Sequence, residues 1–170
     1  TPVTPEEVSD FLIQEDFEVV SGPRMIQVDN YKEAVKLALD NVVSPENEKI
    51  FYVDFDRLIH WINAYPNELT NTLKENSDVD YLHIGRTKRA FNSHPLTQKE
   101  TEIMVNEIGS KILGFSETKD IISVSFLFTK DLGEKILKIR NSTKTGFYGL
   151  LIIINLYHSR SRNYFKILLN

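Results

Sequence analysis

The chain has 170 residues, 41% of them hydrophobic and 26% charged, which suits one soluble globular domain with a sizeable core. It contains no cysteine, which excludes a disulfide scaffold, a Cys-ligated zinc or iron–sulfur centre and a Cys nucleophile, and fits a reducing, cytoplasmic home. The net charge of −4 hides an asymmetry: residues 1–80 hold 17 Asp+Glu against 6 Lys+Arg, net −11, and residues 81–170 hold 7 against 14, net +7.

In chain order, TPEEVSDFL (4–12) has capping-box spacing between Thr4 and Glu7, with Pro5 at the first helical position. Val8, Phe11 and Leu12 fall on one face of that helix. FEVVSGPRMIQV (17–28) reads as extended chain broken at Ser21-Gly22-Pro23, a hairpin or a strand entering the core. DNYKEAVKLALDNV (29–42) is a helix, started by Asn30 and Glu33 and buried along Tyr31, Val35, Ala38, Leu39 and Val42. SPENE (44–48) is an acidic turn.

KIFYVDF (49–55) reads as a strand with Phe51, Val53 and Phe55 on one face. The period then changes. Leu58, Ile59 and Ile62 sit at helical spacing, so a helix begins near Asp56 and ends before Pro66. PNELTNTLKEN (66–76) is a further helical segment. VDYLHIG (79–85) is a short strand, followed by the basic RTKRAFNSHP (86–95). LTQKETEIMVNEIGSKILG (96–114) is the clearest helix: Thr97 and Glu100 cap it, Met104, Ile108 and Ile112 line one face, and Gly114 stops it. IISVSFLF (121–128) alternates as a strand with Ile122, Val124, Phe126 and Phe128 inward. DLGEKILKIR (131–140) is a short helix and NSTKTG (141–146) a turn. FYGLLIIINLYH (147–158) and YFKILL (164–169) form a closing hairpin around SRSRN (159–163).

The order predicts α/β or α+β: a single domain over 1–170, with a mixed sheet of about five or six strands flanked by helices and a C-terminal hairpin. No repeat, low-complexity run or linker divides it. The longest apolar run, GLLIIINL (149–156), falls far short of the about 20 residues of a membrane span. No basic segment followed by an apolar one opens the chain, so no signal peptide is expected. A start at Thr1 without Met is compatible with a fragment of something longer.

Asp54 and Asp56, two apart at the end of an apolar strand, are the first candidates. Such a pair can hold Mg²⁺ or Mn²⁺, which take hard oxygen ligands, for phosphoryl or nucleotidyl transfer. Capping is the plainer role, because Asp is a favoured N-cap residue and a helix starts here. SDVDYLHIGRTKR (77–89) places acids before a strand and Lys/Arg after it, with Asp78 or Asp80 as a first acid and Lys88 as a basic helper. This layout resembles viral cap-snatching endonucleases over about a dozen residues, which implies a metal-dependent nuclease-like domain of viral or mobile-element type. The strand carries His83 where that family wants an acid, and Gly85 where it wants Lys.

Arg86, Lys88 and Arg89, with Arg160, Arg162 and Lys166, could line a nucleic-acid surface, and Phe91, Tyr157 and Tyr164 could stack bases. The pI of about 5.6 argues against a nucleic-acid footprint. The four histidines (60, 83, 94, 158) lack metal-ligand spacing. No Gly-x-Ser-x-Gly elbow or Walker-type glycine loop is present. An enzyme is therefore the less favoured class.

The reading favoured by charge is a non-enzymatic module that docks its acidic N-terminal half on a basic protein partner, as immunity proteins do with nuclease toxins. IGRTKRAF (84–91) and LGEKIL (132–137) are similar to segments of one such immunity family. Asp54, Asp56, Asp78, Asp80, Arg86, Lys88 and Arg89 are the expected partner-binding residues, with no cofactor and no membrane. The alternative is a nuclease-like or nucleotidyl-transfer domain, active or degenerate, using Asp54/Asp56 or Asp78/Asp80 with Lys88 and Mg or Mn. A third is an accessory domain that uses its basic half on nucleic acid.

Overall fold

The computed structural model describes residues 4–20, 27–46, 48–76, 78–138 and 165–168, with backbone alone at 27–28 and 165–168. Seven helices and four strands are described: α1 (Glu6–Gln14), α2 (Gln27–Asp40), β1 (Ile50–Val53), α3 (Phe55–Ala64), α4 (Pro66–Lys74), β2 (Tyr81–Ile84), α5 (Lys88–Asn92), α6 (Leu96–Ile112), β3 (Ser125–Phe128), α7 (Lys130–Leu137) and β4 (Phe165–Leu168). The strands form one mixed sheet in the order β1-β3-β2-β4. β3 pairs antiparallel with β1 and β2, Phe128 lying opposite both Ile50 and Tyr81, and β4 pairs parallel with β2. The mixed α/β class agrees with the sequence. Five or six strands do not appear among the described residues, and the first strand of the expected closing hairpin, 147–158, lies outside them.

The sheet is covered on both faces. On one, Ile50, Tyr81, Phe126 and Phe128 pack with Val35 and Leu39 of α2 and Leu132 and Ile136 of α7. On the other, Val79, Leu82, Ile84 and Leu127 pack with Phe51, Trp61 of α3 and Leu73 of α4. Alternation along each strand splits its side chains between two apolar layers, so β2 and β3 are buried at every position. Tyr81, Phe126 and Phe128 are each 1% exposed, and burying each aromatic contributes roughly 2–3 kcal/mol relative to exposure. The expected strand over 49–55 alternates as read at Phe51, but its shared face does not extend to Phe55. Phe51 serves one layer, Ile50 and Tyr52 the other, and Phe55 already belongs to α3, half exposed.

The helical stripe of α2 is as expected, with Tyr31, Ala38 and Val42 packed around buried Val35 and Leu39. α6 departs from its expected face: Met104, Ile108 and Ile112 are 57%, 52% and 77% exposed, and Asn106 and Ser110 are buried instead. Those two side chains hold the 119–121 segment, Asn106 Oδ1 accepting from the Ile121 N–H and Ser110 Oγ from the Lys119 N–H. Gly109 permits the approach, since a Cβ there would run into Ile121 Cδ1. Gly114, at φ +79°, ends the helix in the left-handed region, as expected of it. The expected hairpin at 17–28 is not seen: residues 17–20 are irregular, 27–28 open α2, and 21–26 lie outside the described residues.

Candidate functional site

β1 and β2 both run antiparallel to β3, so their C-terminal ends emerge on the same side of the sheet. Past those ends lie Asp54, which leads into α3, and Gly85-Arg86-Thr87, which lead into α5. Between α3, α4 and α5 opens a cleft of about 600 Å³, lined among others by Asp54, Asp56, Arg57, Trp61, Glu68 and Arg89. That volume suits a side chain or a small ligand.

Asp54 takes the N-cap position of α3 with extended backbone, and its own N–H donates to Val124 O. Its carboxylate makes no capping hydrogen bond, nor any other among the described residues. Burial raises its pKa above the usual carboxylate range; Arg57 opposes the rise and Asp56 adds to it. Asp56 is exposed and accepts from the Arg57 N–H at 2.8 Å. One aspartate at the cap was expected on structural grounds, but the residue at the cap is Asp54 rather than Asp56, and it does not use its side chain there. Arg57 is part-buried, with Nη1 enclosed and without a hydrogen-bond partner among the described residues. Burial and then the nearby Arg86 lower its pKa, while Asp54, Asp120 and Asp56 pull it back.

Arg86 was expected on a partner-binding surface, and its side chain is 5% exposed instead. It grips Asp120 through Nε at 2.7 Å and Nη2 at 2.7 Å, and its own N–H donates to the same carboxylate at 2.9 Å. Glu102 lies 2.7 Å from Nη1, and the Phe91 ring is 4.9 Å from the guanidinium carbon. Asn106 Nδ2 donates to Asp120 as well. Burial opposes ionisation of Asp120, but the Arg86 hydrogen bonds and charge win and hold its pKa below the usual range. This pair ties β2 to the 119–121 segment and is committed to the fold. His83 is fully buried beside it, its Nε2 donating to Asp120 O at 2.8 Å and lying 3.1 Å from Ser123 Oγ. Burial outweighs the neighbouring carbonyl and pushes its pKa down to about 4.

Arg89 is the opposite case. Its side chain is 52% exposed. It lies over the Tyr65 ring at 3.7 Å and pairs with Glu68 at 3.1 Å. Trp61 Nε1 donates to the other oxygen of Glu68 at 3.1 Å. Lys88, also exposed, starts α5.

The structure therefore unites Asp54, Asp56 and Arg89 in one cleft, whose lining also includes Arg86. It does not bring Asp78 or Asp80 there. Both precede β2, whose first residue is level with Ile50, whereas Asp54 follows Val53 at the far end. Four residues of strand, roughly 13 Å, separate the two levels. Among the described residues no three His, Asp or Glu side chains converge on a point where a metal could sit. No described helix is long and apolar enough to cross a membrane. Sequence reasoning missed Arg57, Tyr65 and Glu68. Helical spacing from Asp54 could have put Arg57 in view, but Trp61 and Glu68 lie on either side of the break at Tyr65-Pro66, and nothing local ties Tyr65 to Arg89, 24 positions on. No family model, curated protein or solved structure matches this chain, so the chemistry of the cleft is read from its own residues.

Proposed function

We propose that the protein is a binding module of the inhibitor or immunity type, docking on a basic protein partner through the face that carries Asp54 and Asp56. The observation that carries this reading is the state of Asp54. A carboxylate that is half-buried in a cleft, with no hydrogen-bond donor among the described residues, is held at a cost. A lysine or arginine side chain from a partner supplies the missing donor and charge. Around it, Glu68 is engaged by Arg89 and Trp61, and Arg86 by Asp120 and Glu102. Asp54 and Asp56 against Arg57 then leave the cleft acidic by one charge. The excess of acid in residues 1–80 would steer a cationic partner in.

Fluorescence anisotropy with labelled hexa-arginine, as a minimal basic surface, tests this between 50 and 300 mM salt. Affinity should fall steeply with salt, and Asp54→Asn and Asp56→Asn should each weaken it about fivefold. Asp78→Asn and Asp80→Asn change the net charge equally at the far end of the sheet and should matter less. Equal losses from both pairs, or indifference to salt, would refute docking at the cleft.

The two carboxylates in one cleft also favour a second reading, a Mg²⁺- or Mn²⁺-dependent phosphoryl-transfer site. A rise in melting temperature with either ion that Asp54→Asn abolishes would select it.

A further inference from the structure

We propose that the cleft contains a guanidinium-recognition subsite that the free protein fills with its own Arg89, and that an arginine side chain of the basic partner takes Arg89's place. The proposal rests on the docking reading above and adds the chemistry of the anchoring group. Tyr65 is both the C-cap of α3 and the N-cap of α4, with its N–H bonded to Trp61 O and Pro66 following it. The His60 ring meets its ring edge-on at 6.2 Å. Its aromatic face is thus set by a helix–helix corner. Glu68 sits three residues on, with one oxygen held by Trp61 Nε1 and the other offered to the guanidinium.

An aromatic face, a carboxylate and a donor that orients that carboxylate are what a planar cation needs, and guanidinium uses the first two better than ammonium does. The present occupant is weakly held. Arg89 comes from a five-residue helix with no buried residue, and its ion pair is at the surface, where such pairs contribute little. Asp54 and Asp56 line the same cleft. An incoming arginine finds them beside the subsite, while Arg89 can swing into water at small cost.

The full chain is titrated with labelled hexa-arginine and hexa-lysine at one salt concentration, as wild type, Arg89→Ala and Lys88→Ala. Arg89→Ala vacates the subsite and should tighten hexa-arginine about fivefold while moving hexa-lysine less than about twofold. Lys88→Ala removes the same charge from the same helix and should move both peptides alike. In the Arg89→Ala background, Tyr65→Leu and Glu68→Gln should each erase the arginine preference, with circular dichroism confirming the fold. An Arg89→Ala effect that is absent, equal for both peptides, or matched by Lys88→Ala overturns the proposal. Salt-dependent, Asp54-sensitive binding without arginine preference overturns the subsite alone. Failure of every variant to bind either peptide overturns both the subsite and the docking reading.

Discussion

His83 makes folding stability depend on pH below neutrality. It is fully buried, its ring tilted at 47° against the Phe126 ring with centroids 5.1 Å apart, and its pKa is pushed down to about 4 against 6.5 when unfolded. The short contact from Nε2 to Asp120 O assigns the proton to that nitrogen. Nδ1 then faces the Tyr81 hydroxyl at 3.5 Å. A second proton would put charge among apolar rings and beside Arg57 and Arg86, so the folded state resists it. As pH falls below 6.5 the unfolded chain takes up that proton first, and stability is lost until about pH 4, where the folded state also protonates. Linkage with these two values removes about 2 kcal/mol between pH 7 and pH 4.5. That is a large part of the 5–15 kcal/mol that typically holds a domain together.

Urea titrations of wild type and His83→Gln at pH 7.0, 6.0, 5.0 and 4.5 measure it. The variant keeps an amide donor near the place of Nε2 but cannot titrate. It should be less stable at pH 7, by about 1–3 kcal/mol for the lost ring packing, yet lose about 2 kcal/mol less on acidification. Carboxylates common to both proteins cancel in the comparison. Parallel pH profiles would refute the reasoning, because they would mean that His83 binds its proton equally well in the folded and unfolded chains.

Asp120→Asn should cost about 3–5 kcal/mol in a chemical or thermal melt, because it strips the buried Arg86 of its bidentate partner; a loss below about 1 kcal/mol would show that Glu102 suffices. Asp120 also predicts a second acid transition: its pKa is lowered by folding, so its contribution is complete above the ordinary carboxylate pKa and lost below that of the folded state, a step that Asp120→Asn should remove. Gly109→Ala should destabilise by about 1–3 kcal/mol despite the better helix propensity of Ala, since its Cβ meets Ile121 Cδ1. In an Ile121→Val background, which lacks that methyl, the same substitution should cost much less, and strict additivity would disprove the contact. Asp54→Asn should raise the melting temperature by about 1–2 °C at pH 7 while weakening the basic peptide, because burial disfavours the charge that binding needs. A lower melting temperature would mean that the carboxylate serves the fold.

Much of the local structure could be read from residue order. The stripe of Val35 and Leu39 marks α2, the change of period after Val53 marks the junction into α3, Pro66 opens α4, and Gly114 closes α6. These signals act within a turn or a strand, where side-chain period and backbone sterics decide. The same locality misled at α6. Its apolar residues have helical spacing, yet the tertiary contacts bury Asn106 and Ser110, because the 119–121 segment offers backbone groups that need partners.

Residue order alone carries the mixed class, most element positions, the charge asymmetry and the two aspartates at a strand-to-helix junction. Which charges are available depends on the packed fold. Arg86 and Arg89 are three residues apart and look alike in sequence, but one is clamped by Asp120, 34 positions away, and the other lies open over Tyr65. Only strand order could separate Asp54 from Asp80, because β1 and β2 point the same way on either side of β3. Pairing between distant strands and the burial of an ion pair depend on the register of the whole sheet, and no local pattern encodes that register.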